Sequence, residues 1–312
     1  MFDRAKDARC RAAAFEFLSD QIARHGDVLP RSVLAQGFEL DQRIVPLLGP
    51  QGIFKPAVME VPLSMTTVPS GPYDDGFDDE GMLHYRYRDR SGEPDPFHRD
   101  NVGLRFAMRE QLPLIYFHRV VPSRYVAAWP VFVVGDDPSR LSFDVQIDDA
   151  MHIGLESASP WIARDDSTKA RRQYVTSLVR RRVHQRAFRE RVLLAYRQEC
   201  AFCHFRHAEL LEAAHITPDS DPLGEPVVSN GLSLCRLHHG AFDRHFVAVR
   251  PDHRIEVRHD LLKETDGPTL VHGIQNLHGT VIQLPRRTAD RPSSERLAER
   301  YEVFLKQSER AS

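Results

Sequence analysis

Cys200-Ala-Phe-Cys203 and Cys235-Arg-Leu-His238 repeat one spacing, two residues between ligand types, with 31 residues separating the pairs. That doubled knuckle constrains the chain more than any other feature, because two such pairs can close one tetrahedral Cys3His set around Zn²⁺. A structural zinc uses four protein ligands and leaves no open position, and its binding energy folds a region that has little apolar core of its own. The chain has four cysteines, and the fourth, Cys10, stands alone in a helical pattern and reads as a packing residue. Three cysteines grouped with interleaved histidines point to metal binding before a disulfide framework. The competing reading is three buried cysteines and an exposed histidine.

Between and after the knuckles lie Leu210-Leu-Glu-Ala-Ala-His-Ile-Thr-Pro218, Ser229-Asn-Gly-Leu-Ser-Leu-Cys235 and His238-His-Gly-Ala-Phe-Asp243. The order reads as strand, loop, strand, helix: a ββα unit around a metal. His215 ends the first strand, Asn230 sits in the loop before Gly231, and His239 opens the helix with Asp243 four residues on. Positions i and i+4 share a helix face, so His239 and Asp243 are placed to hold one divalent cation, Mg²⁺ or another, with positions left for phosphate and water. Phosphodiester cleavage needs a base that deprotonates water, which a neutral imidazole such as His215 supplies. It also needs a cation to neutralise charge on the phosphate and the leaving oxygen. An Asn side chain, donor and acceptor at once, suits Asn230 to bracing the loop.

The segments LEAAHI, SNGLSLC and LHHGAFD together resemble the HNH, or ββα-metal, nuclease superfamily, and the 215–230–239–243 spacing is similar to that of its colicin-type DNases. The resemblance implies that His215 is the general base, Asn230 the bracing residue, His239 a ligand of the catalytic metal and Asp243 a second ligand. One position departs from the pattern. Many members carry Asp or His just before the base, where this chain has Ala214. The cation is then held by His239 and Asp243 with water, or is helped by another group such as Glu212.

The flanks VHQRAFRERVLLAYRQECAFC and HDLLKETDGPTLVHGIQNLHGTVIQLP resemble bacterial restriction-type HNH proteins. The first flank belongs to a helix expected over Lys169–Glu199. Residues 169–191 hold nine Lys/Arg against one acid, Glu190. Such a run is either a solvated face or a phosphate-contacting one; on the second reading Arg180, Arg181, Arg182, Arg186 and Arg189 touch DNA. Net charge is −2 overall, but residues 1–165 carry 18 Lys+Arg against 25 Asp+Glu, and residues 166–312 carry 24 against 19. A polyanion therefore favours the second half.

The first half reads as a helix over 3–24, then short strand-like runs at Ala57–Pro62, Leu83–Tyr87, Pro113–Phe117, Pro130–Val134 and Leu141–Ile147. Irregular strands with long polar loops suggest a curved sheet or small barrel. The run from GPQGIFKPAVMEVPLS through HYRYRD to WPVFVV is similar to reader domains of SRA and PUA-like fold, which hold a flipped base in a pocket. A flipped base needs an aromatic partner and polar groups at its edge. Tyr73, Phe77, Tyr85, Tyr87, Asp100 and Asn101 are the candidates.

The expected organisation is α+β: a curved-sheet or PUA/SRA-like barrel domain over 1–160, a linker over 161–168 within the polar stretch 157–168, and a zinc-stapled ββα-metal domain with a basic entry helix over 169–312. No run approaches the ~20 apolar residues of a membrane span, and the charged start reads as cytoplasmic rather than secreted. The resemblance implies a restriction-type endonuclease on double-stranded DNA, acting on specific or modified bases. One metal, one base and one phosphate cut one strand, so a homodimer is expected for double-strand cleavage. The alternatives are an HNH nuclease of toxin or homing type and a non-catalytic zinc protein that binds nucleic acid.

Overall fold

Asp3 opens the first helix, α1 (Arg4–His25), by accepting a hydrogen bond from the Lys6 N–H at 2.9 Å, and Gly26 closes it. Its stripe Cys10, Ala14 and Leu18 is buried, so Cys10 is a packing residue. The computed structural model describes residues 2–50, 52–69, 76–77, 82–90, 93–147, 168–265 and 267–311. Within them two compact units divide between Arg186 and Ala187. Residues 161–167 of the expected linker lie outside the described residues.

The first unit continues with β1 (Val28–Pro30), α2 (Arg31–Gln36), β2 (Phe38–Leu40), β3 (Arg43–Val45), β4 (Ile53–Phe54), β5 (Ser64–Thr67), β6 (Leu83–Arg86), β7 (Asp89–Arg90) and β8 (Glu93–Pro94). Then come α3 (Arg99–Arg109), β9 (Leu114–Val121), β10 (Arg124–Asp137) and β11 (Ser142–Ile147). A seven-stranded curled sheet runs β4-β5-β9-β10-β11-β6, with β1 also paired to β10. Only β5–β9 is parallel among these pairs; the others are antiparallel. The runs expected at 113–117 and 130–134 are pieces of the longer β9 and β10. The strand expected over Ala57–Pro62 is not formed. That segment turns, and pairing begins two residues after Pro62 at Ser64, as suits a residue that cannot donate to a ladder.

The helix α4 (Thr168–Ala195) crosses the division between the units. The second unit adds β12 (Leu211–His215), β13 (Gly231–Cys235), α5 (Arg236–Asp243), β14 (Val247–Val249), β15 (Ile255–Val257), α6 (His259–Lys263), α7 (Pro268–Gly273) and α8 (Ser294–Ala311). The antiparallel β12–β13 hairpin and α5 form the expected ββα unit. The core joins Phe188 and Val192 of α4, and Tyr196 just past its end, to Leu211, Leu232, Leu234, Phe242 and Leu297. No described helix is long and apolar enough to cross a membrane.

Gly231 shows why the hairpin sits where it does. It pairs with His215, and a Cβ built on it would lie 2.5 Å from Val192 and 2.9 Å from Phe188. The bare backbone lets α4 close onto the hairpin, which brings the Phe188 ring against the His215 imidazole.

Candidate active site and metal centre

The doubled knuckle converges. The ligand atoms of Cys200, Cys203, Cys235 and His238 all lie within 4.8 Å of one another. The Nδ1 of His238 is 3.4 Å from Cys200 Sγ and 3.2 Å from Cys235 Sγ. Tetrahedral zinc with sulfur and nitrogen ligands has edges of about 3.5–3.8 Å, so the group fits that ion. The opposite ring nitrogen, Nε2, donates to the Gly273 carbonyl at 2.7 Å. That bond fixes the tautomer that leaves Nδ1 facing the thiols. The Cys235 N–H also points at Cys200 Sγ, at 3.3 Å. Sequence reading gave the four ligands and missed Gly273, which lies 35 residues beyond His238.

His215 ends β12 with its ring stacked on Phe188, centroids 4.1 Å apart and planes 19° from parallel. Its Nε2 is buried and has no hydrogen-bond partner. Burial lowers its pKa; the charge of His239 adds to that, while Asp219 and Asp243 pull the other way without reversing it. The ring therefore stays unprotonated to lower pH than an ordinary histidine.

Asn230 is fully buried and braces the loop that follows His215. Its Oδ1 accepts the Thr217 N–H at 2.8 Å, and its Nδ2 donates to the carbonyls of Thr217 at 3.1 Å and Glu225 at 3.0 Å. Its own carbonyl accepts the Ile216 N–H at 2.9 Å.

His239 stands between two carboxylates. Nδ1 donates to Glu212 Oε2 at 2.6 Å, and Nε2 lies 3.1 Å from Asp243 Oδ2. The hydrogen bond to Asp243 is the first cause of a raised His239 pKa; burial opposes it and Glu212 adds to it. Burial would push the Asp243 carboxyl up, but the His239 bond and the charges of His239, Arg300 and Arg244 outweigh it, and the net shift is down. Two ligands about 2.1 Å from an octahedral cation and at right angles sit about 3 Å apart. The Nε2–Oδ2 pair has that separation, so these two atoms fit a divalent cation. Glu212 faces the other nitrogen. It is placed to orient His239 rather than to join that pair.

Arg300 of α8 was not legible in the sequence. Its Nη1 donates to the Ile216 carbonyl at 3.1 Å, next to His215, and its Nη2 donates to the Phe242 carbonyl at 3.0 Å and lies 3.5 Å from Asp243 Oδ1. The guanidinium also covers the Phe242 ring at 3.9 Å. One turn earlier, Arg296 donates to the Leu223 carbonyl at 2.7 Å and to Glu225 Oε2 at 3.2 Å. The helix α8 therefore clasps the loop that Asn230 braces from within.

Arg182, Arg186 and Arg189, expected at DNA, make hydrogen bonds or ion pairs with protein groups. Arg182 donates to the Ala127 carbonyl at 2.9 Å, and Arg186 pairs with Asp27 at 2.6 Å. Arg189 donates to the carbonyls of Ala208 at 2.8 Å and Leu211 at 2.9 Å. Arg180 is half-buried, and Arg181 is exposed.

The residues expected around a base are not gathered as a set. Tyr73 lies outside the described residues. Phe77 packs edge-on to Tyr116, 6.2 Å away. Asp100 lies in the first turn of α3, beside His98 at 3.6 Å. Asn101 is fully buried and bonds to the backbone of Arg88 and Asp95. Tyr85 and Tyr87 do line one cavity.

Residues 200–250 match the HNH endonuclease family. No curated protein matches the chain. Among solved structures, the chain is similar to a modification dependent TagI restriction endonuclease, at 14% identity and a TM-score of 0.29, covering 78% of this chain and 81% of that one. It is also similar to the Type IV phosphorothioation-dependent restriction endonuclease ScoMcrA, at 16% identity and a TM-score of 0.24, covering 82% of this chain and 52% of that one.

Proposed function

From an HNH endonuclease domain, a phosphodiester-hydrolysing unit, we propose that the chain is a divalent-cation-dependent, restriction-type endonuclease of double-stranded DNA. The observation that carries this reading is the half-buried His215 imidazole, whose pKa burial lowers and whose buried, unpartnered Nε2 shares its surroundings with the His239–Asp243 pair. A zinc-ribbon that only bound nucleic acid would need the four knuckle ligands and would have no use for an unmet imidazole nitrogen, which costs about 1–3 kcal/mol to bury.

His215 takes the proton of the attacking water, which its lowered pKa leaves it free to do. Phe188 holds the ring plane, and Asn230 with Arg300 holds the chain on either side of Ile216. His239 and Asp243 hold the cation, and Glu212 orients His239 through Nδ1. When bound there, the cation neutralises charge on the scissile phosphate and the leaving oxygen. The knuckle zinc has no open position and serves the fold.

The first unit serves as the reader, inspecting a specific or modified base; the support is its curled sheet and the cavity beside Tyr85 and Tyr87. A homodimer supplies the second active site for a double-strand break. The test is plasmid nicking with Mg²⁺, Mn²⁺ or no added cation, on unmodified and base-modified DNA. His215→Ala should keep its zinc and its DNA affinity and lose cleavage by ~10²-fold or more. Wild-type cleavage by that variant would overturn the assignment.

A further inference from the structure

The first half of the chain is acidic in balance, yet it holds a cavity with a cationic wall. The cavity has a volume of about 580 Å³ and is lined by Gly52, Tyr85, Arg86, Arg88, Asp89 and Arg140 among others. Three arginines and one aspartate are among its lining residues. Gathering like charge in a concavity is unfavourable unless an anion joins them.

Among the described residues, these arginines have few partners. Arg88 is half-buried, and its Nε has no hydrogen-bond partner, an unmet donor of a charged group. Arg140 reaches Asp137 only at 3.7 Å and is 71% exposed. Arg86 is exposed, and no ion pair of it stands among the described residues.

The wall is nevertheless built. Asn101 grips the Arg88 backbone from both sides, accepting its N–H at 2.9 Å and donating to its carbonyl at 3.1 Å. Tyr85 donates its hydroxyl to the Thr66 carbonyl at 3.3 Å, and burial raises its pKa, so it remains a neutral donor. Gly52 leaves the space open, since a Cβ there would come within 2.8 Å of the Tyr85 hydroxyl. Arginine forks match phosphate oxygens in geometry as well as charge. The volume lies within the ~300–1,000 Å³ of small-molecule sites and exceeds what a lone phosphate needs.

We propose that this cavity binds the phosphate of one nucleotide, with Arg86, Arg88 and Arg140 on the phosphate and the remaining space for the nucleoside. The inference rests on the reading of the chain as a DNA enzyme. The phosphate belongs either to a unit of a DNA strand or to a free nucleotide, and the arms of the test separate them.

The full chain, without added divalent cation, is titrated calorimetrically with deoxycytidine 5′-monophosphate, with deoxycytidine and with inorganic phosphate. A fluorescent DNA duplex is titrated in parallel. The nucleotide should bind, and the nucleoside at the same concentration should not. The double variant Arg86→Gln/Arg140→Gln should weaken binding by about tenfold or more, with zinc content and melting temperature unchanged. Arg88→Gln should weaken it further. Loss on the duplex assigns the phosphate to a strand, and loss on the mononucleotide alone assigns it to a free nucleotide. Equal binding of nucleoside and nucleotide, or unchanged affinity for both ligands in the double variant, overturns the proposal. Plasmid nicking by the wild type is read separately. Its absence, with nucleotide binding intact, sinks the endonuclease reading and leaves the cavity.

Discussion

The Nδ1 of His239 lies 2.6 Å from Oε2 of Glu212, on the side of the ring turned away from Asp243. A carboxylate behind a metal-binding histidine fixes the tautomer, and its loss costs ~10–100-fold in metal affinity or activity. Glu212→Ala should raise the cation concentration for half-maximal nicking by that factor and leave zinc untouched. The pH profile should move as well. His239 loses its proton at higher pH than an ordinary histidine, and a cation needs the neutral ring, so cleavage should rise with pH as the ring deprotonates. His215, shifted the other way, is already neutral in that window and does not set the limb. Glu212→Gln removes one of the raising charges and should move the acid limb to lower pH. An unmoved limb and an unchanged cation requirement would exclude this role.

The Cys3His group lies in a second unit whose strands are only three to five residues long, and on the proposed reading zinc staples it. Structural zinc sites contribute on the order of 10 kcal/mol at neutral pH. Cys203→Ser should lose the zinc and unfold the second unit, while the first unit keeps its own thermal transition. Elemental analysis of purified, folded wild type decides the premise: without about one zinc per chain, the staple is not a zinc site.

Arg300 joins the chain beside His215 to the helix carrying Asp243. By occupying Oδ1 of Asp243 it leaves Oδ2 for the proposed cation. Arg300→Met should lower kcat by about tenfold or more, with KM for DNA within about twofold. Mn²⁺ affinity should fall too, as the carboxylate loses its fixed orientation. Arg300→Lys keeps the charge but not the fork, so it should recover only part of the loss. If Arg300→Met binds Mn²⁺ more tightly and cuts normally, the arginine acts only as a competing charge.

The basic helix divides by residue. Arg181 is exposed, and the Arg189 guanidinium closes the carbonyls of Ala208 and Leu211 at the start of β12. Arg181→Gln should flatten the salt dependence of DNA binding by roughly one unit, the slope of one phosphate contact. Arg189→Gln should instead leave the slope unchanged and lower stability by about 1–3 kcal/mol, because two carbonyls lose a charged donor. A changed slope in Arg189→Gln with unchanged stability would invert this division.

The legible parts of the site were those whose chemistry is local. Cys200 and Cys203, Cys235 and His238, and His239 and Asp243 each sit within one turn or knuckle, so spacing alone placed them together. Asn230 was legible through its residue type, a donor and acceptor ahead of a strand. Gly273, Arg300 and the orienting role of Glu212 were not, because each acts across 27 to 84 residues of intervening chain. Charge density named the basic helix but could not say that Asp27 and the Ala127 carbonyl take two of its arginines. In the first unit, the aromatic and polar types near 73–101 suggested a base pocket. Asn101 instead spends its amide on the Arg88 and Asp95 backbone, and the sequence pattern gave no hint that arginines dominate the wall.

The two units supply the sharpest test of the division of labour. The second unit's core runs from Phe188 to Leu297 and is drawn from its own residues. A fragment over 168–312, which keeps α4 whole, should therefore fold with its zinc. It carries His215, Asn230, His239 and Asp243 and lacks the arginine-lined cavity. It should nick plasmid DNA in the presence of a divalent cation, and it should cut modified and unmodified plasmids at rates within about twofold of each other. The full chain should discriminate between them by tenfold or more, about 1.4 kcal/mol of differential binding. The comparison is made at one salt concentration, because a selectivity ratio is meaningful only there. If the folded fragment keeps the selectivity of the full chain, the reader is in the nuclease unit and the first unit serves another purpose.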